Sequence, residues 1–217
     1  MLLESFSMIE RLASVRRYSR DLPSVDETLI EHTGWMTTFS YHLGLRLKDL
    51  GASVDMGELL AKCVVHDIEE GLTGDISGPI KHYSPHLREA IQEAEEDAIA
   101  CWAGVLGLTR SSREYMTTWA NAKTGPSLES FIVKKADYLA VIYKIWIEVS
   151  LRGNAGFKRV AKEFLQYNPQ NEPWDLGISA TDKVNDFLES IRVESISMLT
   201  KISQGQNIDP CEIPWLV

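Results

Sequence analysis

Apolar residues recur at three- and four-residue intervals along most of the chain, the pattern of helices that each bury one stripe. Between 28 and 50 the stripe is Met36, Phe39, Leu43, Leu47 and Leu50, and Gly51 ends it. A second helix is expected over 55–67, with Met56, Leu59, Leu60, Cys63 and Val64 on one face and Val65 buried with them. A third covers about 86–106, in HLREAIQEAEEDAIACWAGVL, and its acidic side reads as solvated. A fourth runs from about 127 to 151 on Leu128, Ile132, Leu139, Ile142, Trp146 and Val149. The last long one spans about 180–203, with Val184, Phe187, Leu188, Ile191 and Leu199. No period-two run of useful length and no Asn-Gly or Asp-Gly hairpin turn is present. The polar segment QYNPQNEPWD, 166–175, reads as a loop or weak boundary before the last helix. The pattern therefore predicts an all-α fold: one domain over residues 1–217, built as a bundle of about seven to nine helices.

Composition narrows the function. The chain is 44% hydrophobic and 24% charged, as in an ordinary globular protein. Its formal net charge of -9 argues against a sequence-independent grip on nucleic acid, which needs a basic face. Charge does not forbid a small anionic substrate, because a local group of cations can overcome the global sign. Cys63, Cys101 and Cys211 are widely spaced with no CxxC pair, which suits a reducing compartment. Glu4 and Glu10 interrupt what would have to be a signal core, and no stretch reaches the ~18 to 20 apolar residues of a membrane span. A cytoplasmic protein without membrane contact is the expectation.

The chemistry concentrates in VVHDIEEGLTGDISGP, 64–79, where His66 and Asp67 follow an apolar run and Glu69, Glu70 and Asp75 come soon after. Alone, His66-Asp67 reads as a hydrogen-bonded pair at a helix end. Two further residues bear on it. His32 sits in a helical pattern beside Ile30, Met36 and Phe39, and Asp137 interrupts the apolar run FIVKKADYLAVIYKIW. A carboxylate amid so many apolar residues is costly unless it is paired or ligated. Lys134 and Lys144 are its possible ionic partners. The alternative is a metal site: two imidazoles and two carboxylates from three helices balance one divalent ion and leave positions for water and substrate.

His32, His66-Asp67 and Asp137 together resemble the H…HD…D signature of the HD-domain metal-dependent phosphohydrolases. The resemblance is nearer to the 5′-deoxynucleotidases of the YfbR type. It rests on HDIEEGLTGDISGPIK (66–81), on Arg17-Tyr18 standing before Glu31-His32, and on VKKADYLAVIYK (133–144), and it covers about residues 8 to 160. Residues 176–217 then read as a C-terminal helical extension.

The resemblance implies a single HD domain holding one divalent transition-metal ion (Co, Mn, Zn or Fe) through His32, His66, Asp67 and Asp137. It implies Glu70 as the acid–base residue, on the same face as His66 if the helix continues, with Glu69 as the rival. Arg17 would grip phosphate, with Lys81 and Lys134 as further candidates, each of which can equally be a solvated surface charge. Asp75 would face the sugar 3′-hydroxyl or else serve as a turn residue. Tyr18 departs from the tryptophan usual there in the family, whose ring is thought to crowd the sugar's 2′ position; a tyrosine keeps the flat face but is smaller and adds a hydroxyl, so the resemblance carries less weight for selection of 2′-deoxyribose. Arg16, Arg20, His42, His82 and His86 read as surface or structural. The implied activity is hydrolysis of 2′-deoxynucleoside 5′-phosphates, most simply monophosphates. A deoxynucleoside triphosphohydrolase and a non-catalytic nucleotide-binding module are the alternatives. The family also tends to form homodimers.

Overall fold

The computed structural model describes residues 2–81, 83–105, 107, 111–167, 174 and 181–209. Helices α1 (Leu2–Ser14), α2 (Leu29–Asp49) and α3 (Met56–Val65) are followed by two single-turn helices, α4 (Glu70–Thr73) and α5 (Gly78–Lys81). Then come α6 (Pro85–Val105), α7 (Ser112–Thr124), α8 (Leu128–Trp146), α9 (Lys158–Tyr167) and α10 (Asp182–Ser203). Between α8 and α9 lie a π-helical turn, Ile147–Leu151, and a 3-10 turn, Ala155–Phe157. The described strand structure is one two-residue antiparallel pair, β1 (Arg16–Arg17) and β2 (Glu27–Thr28). The all-α expectation holds, with eight helices of ten or more residues among the described residues.

Local chemistry sets the helix ends. Thr28 caps α2 in a reciprocal box: its hydroxyl accepts from Glu31 N at 3.3 Å, and the Glu31 carboxylate accepts from Thr28 N at 2.8 Å. Glu31, next to His32 in sequence, is thereby occupied as a cap. Asp55 caps α3 through Gly57 N and Glu58 N, and Ser127 caps α8 through Ser130 N. The expected helix 127–151 is continuous in space but widens into the π turn over its last five residues. Of the expected loop 166–175, Gln166 and Tyr167 still belong to α9 and Trp174 is buried; the rest lies outside the described residues.

Helices α2, α3 and α8 pack on one another and hold the main core, with Met36, Leu47, Leu59, Cys63, Ile132, Leu139, Ile142 and Ile145 almost fully buried. Each such side chain contributes about 1.5–3 kcal/mol. Gly44 lets α2 and α3 approach closely, since a β-carbon there would stand 2.8 Å from Leu59 Cδ2. The α3 stripe differs from the expectation at one position. Val64 is 61% exposed while Leu59, Cys63 and Val65 are buried, because the inner face of α3 follows Leu59, Lys62, Cys63 and His66. Helix α10 packs on α9 and α8 and closes the far side of the core with Val184, Leu188, Ile191 and Leu199.

Candidate active site

Each of the three central helices delivers part of one cluster. His32 lies in the first turn of α2 and is fully buried; His66 is the C-terminal cap of α3; Asp137 sits midway along α8. Ligand atoms of His32, His66, Asp67 and Asp137 all lie within 4.8 Å of one another. Donors sharing one ion at ~2.1 Å lie roughly 3–4 Å apart, so the set needs only a small contraction. The ionic partners considered for Asp137 do not materialise: Lys144 is buried against Glu148 at 3.1 Å, and Lys134 is exposed.

The polar bookkeeping of the cluster is incomplete in an informative way. His32 Nε2 is 3.0 Å from Asp137 Oδ1, and His66 Nε2 is 3.0 Å from Asp67 Oδ2. None of His32 Nδ1, His32 Nε2 and His66 Nε2 makes a properly directed hydrogen bond, although all three are buried. Buried polar atoms are normally satisfied, and each exception calls for an explanation. His66 Nδ1 lies 3.2 Å from the Cys63 carbonyl, which favours a proton on Nδ1 and leaves the Nε2 lone pair for a ligand. Burial pushes the His66 imidazole down, but the adjacent Asp67 overrides it and holds it at about 9, so an ion bound at Nε2 takes the place of a proton there. Burial pushes Asp67 up; His66, His32 and Arg17 nonetheless keep it well below the ordinary carboxylate range. These donors fit a divalent ion.

Arg17 reaches the same place from β1. Its Nη1 is 3.7 Å from Asp67 Oδ2 and its Nε is 3.8 Å from Glu27 Oε1, and both nitrogens are buried without a hydrogen-bond partner. Glu27 is the residue that sequence reasoning missed. It faces Arg17 across the β1–β2 pair, is buried, and has Oε1 3.6 Å from His32 Nδ1. It thus stands behind both a ligand and the candidate phosphate grip. Tyr18 follows in a left-handed conformation (φ 57°), with its ring edge-on to Phe157 at 5.3 Å and its hydroxyl buried without a partner. Backbone strain of this kind gathers at functional sites. Asp75 accepts from Tyr18 N at 3.4 Å, so the LTGD turn lies against the Arg-Tyr segment. Arg16 and Arg20 are exposed, paired with Asp26 and bonded to Ser77, and His42 and His86 are exposed too; His82 lies outside the described residues.

The two neighbouring glutamates separate clearly. After Val65 the chain tightens: Ile68, Glu70 and Gly71 donate their amides three residues back rather than four. With three residues per turn, Glu70 stacks over Asp67 and not over His66, which corrects the face expected from a continuing α-helix. Oxygens of Asp67, Glu69 and Glu70 come within 4.8 Å of one another. Glu69 is fully buried, and both its oxygens are engaged, by Trp119 Nε1 at 2.6 Å and by Lys123 Nζ. Glu70 accepts from Lys81 Nζ at 3.1 Å on Oε1, and Oε2 is buried and free. Burial, helped by the charge of Asp67, pushes the Glu70 carboxyl up to about 8 against the pull of Lys81. Only Glu70 of the pair has an oxygen to offer. Lys81, expected at phosphate, is turned onto Glu70 and Glu95. Lys134 instead borders a cavity of about 620 Å3 shared with Lys81, Glu95, Trp119 and Lys123.

The family model described as 5′-deoxynucleotidase YfbR-like matches residues 4–191, reaching past the expected limit of 160 into α10. A 5′-deoxynucleotidase of Pasteurella multocida is 25% identical over 154 residues, covering 70% of this chain and 77% of that protein. A 5′-deoxynucleotidase of Vibrio cholerae is 24% identical over 158 residues, covering 72% and 80%. Among solved structures, an HD-domain phosphohydrolase from Listeria innocua superposes with TM-score 0.62 at 19% identity over 92% of both chains. A protein from Pyrococcus horikoshii gives 0.63 at 17% identity, over 91% of this chain and 99% of its own.

Proposed function

The chain belongs to the 5′-deoxynucleotidase YfbR-like family, and from that premise we propose that it is a metal-dependent phosphohydrolase of 2′-deoxynucleoside 5′-monophosphates. The observation that carries the proposal is the buried, unsatisfied set of His32, His66 and Arg17 nitrogens facing Asp67 and Asp137. Such a set is costly in an empty protein and useful to one that binds a cation and a phosphate. His32, His66, Asp67 and Asp137 would hold the ion, which when bound would supply Lewis acidity toward a phosphoryl oxygen and lower the pKa of water. Cobalt, manganese, zinc and iron all suit two imidazoles and two carboxylates.

Hydrolysis joins a water oxygen to phosphorus, breaks the bond from phosphorus to the sugar 5′-oxygen, and moves one proton from the water to that oxygen. Glu70 is the residue for the proton, since its Oε2 is buried and free, its carboxylate comes within 4.8 Å of that of Asp67, and its carboxyl holds a proton near neutrality. Arg17 binds the phosphate, with a planar fork whose buried nitrogens lack partners. Tyr18 and Asp75 adjoin one another and line the sugar side. Glu70→Ala is expected to keep the ion and the fold while turnover falls by about two orders of magnitude. Phosphate release from dAMP, followed beside metal content, checks this; unchanged turnover contradicts the assignment.

The cavity beside Lys81, Lys123 and Lys134 favours a second reading, in which it accepts further phosphates of a nucleoside triphosphate. Against it, the ammoniums of Lys81 and Lys123 are already paired with glutamates. Product analysis separates the two: greater efficiency with dATP, releasing triphosphate or successive phosphates, overturns the monophosphatase reading. Metal and nucleotide binding with no phosphate release under any divalent ion would leave only a binding module.

A further inference from the structure

A chain of alternating carboxylates and ammoniums runs away from the site through three helices. Lys81, at the end of α5, donates to Glu70 at 3.1 Å and to Glu95 of α6 at 3.3 Å. Lys123, in the last turn of α7, donates to the other oxygen of Glu95 at 3.0 Å and to Glu69. Trp119 of α7 closes the chain on Glu69, and Trp102 of α6 holds the Ile68 carbonyl at 2.9 Å. Three of the four residues from Asp67 to Glu70 are thus tethered from α5, α6 and α7. The Glu95 carboxylate, 12% exposed, is among the described residues the group that joins both ammoniums. The expectation of a solvated acidic face on α6 holds for Glu93, Glu96 and Asp97 but fails at Glu95.

We propose that Glu95 is a positioning residue: by engaging Lys81 and Lys123 it keeps the Lys81 ammonium on Glu70 Oε1, which leaves Oε2 as the free oxygen of a carboxylate held beside Asp67. The inference deepens the reading of Glu70 as the proton-handling residue and rests on it. An unanchored Lys81, on a flexible four-carbon stem and 28% exposed, is free to leave Glu70 for solvent or for an incoming phosphate. Glu70 then loses the contact that selects its rotamer, while the four metal-ligand candidates and Arg17, none of which touches Glu95, keep their places. Positioning effects of this kind act on turnover and leave binding largely intact.

The test is Glu95→Gln, which keeps the shape of the side chain and removes the charge. The expected result is a kcat lowered about 10-fold for dAMP, a KM within about twofold of wild type, and an unchanged metal content. Lys81→Arg, which retains a cation able to span Glu70 and Glu95, is expected to keep more turnover than Lys81→Met. A KM raised about 10-fold with kcat unchanged would make Lys81 a direct phosphate contact and overturn the proposal. Equal kinetics for Glu95→Gln and wild type would also overturn it, making the network a stabilising feature alone. The underlying reading is checked separately by Glu70→Ala. Retained turnover there removes the acid–base role whatever Glu95 does, whereas loss there with a silent Glu95→Gln removes only the positioning role.

Discussion

Two of the carboxylates on helix α8 and its π turn, Asp137 and Glu148, stand eleven residues apart in sequence and have opposite surroundings. Glu148 is fully buried and receives donors from Ser24 N at 2.6 Å, Val25 N at 3.4 Å, Lys144 at 3.1 Å, Arg152 at 2.7 Å and Asn154 at 3.0 Å. Asp137 touches one imidazole, which is itself without a well-directed hydrogen bond, and its side chain is 43% exposed. A closed network fixes structure, here the 24–25 segment against the end of α8. An open one, with donors and acceptors aimed together and left unsatisfied, is prepared for something not made of protein. The number of charged groups does not separate the two clusters. The completeness of their hydrogen bonding does.

The largest effect expected from breaking the comparison is at Asp137. Asp137→Asn is expected to reduce phosphate release to background while circular dichroism and the melting temperature stay near wild type; retained activity would remove it from the ligand set. Glu148→Gln should do the reverse. Removing one partner from a buried charge network costs about 3–5 kcal/mol, seen in denaturant unfolding, while the folded enzyme keeps its metal.

Acid titration sharpens the same contrast. Burial raises the Glu148 carboxyl, but the Ser24 amide, Asn154, Lys144 and Arg152 outweigh it and hold the group at about 2. A lowered folded-state value stabilises above the ordinary carboxylate range near 4.5. That contribution, about 3 kcal/mol, disappears as pH falls from there through about 2. Unfolding free energy of wild type should therefore drop more steeply below pH 4.5 than that of Glu148→Gln; parallel curves would contradict the assignment.

Smaller again is Glu27→Gln, which leaves all four ligand candidates in place but weakens the support behind His32 and Arg17. A 10–100-fold loss of metal affinity is expected, read by calorimetric titration of the apoprotein. At the bottom of the scale, Val64→Thr is expected to change stability by less than about 0.5 kcal/mol, because that side chain faces solvent.

What the sequence revealed, and what it hid, follows the range of the interactions. Helices α2, α3, α6, α8 and α10 are local periodicities and could be read directly, although the α3 stripe is misplaced at Val64 and the solvated face of α6 at Glu95. His32, His66, Asp67 and Asp137 could be assembled because together they resemble the H…HD…D signature, and because Asp137 interrupts an apolar run. Glu27 could not, since only the two-residue pairing of β1 with β2 brings it to Arg17 and His32. Glu69 and Glu70 are indistinguishable by type and adjacent in sequence. Their roles divide because Trp119 and Lys123, some fifty residues later, take both oxygens of one and neither of the other. The tightened turn after Val65 takes Glu70 off the face of His66 and places it over Asp67, and no residue pattern marks that change. The capping box Thr28–Glu31 is a local signal that could have shown Glu31 to be structural.

The claim that most needs testing is that the open cluster is a metal centre and the closed one is not. Titrating Co2+ into metal-free protein, with visible absorption and calorimetry read together, addresses it directly. The account predicts one tightly bound ion per chain in wild type and in folded Glu148→Gln, and none in Asp137→Asn. Binding that survives in Asp137→Asn, or that is absent from wild type, would contradict it.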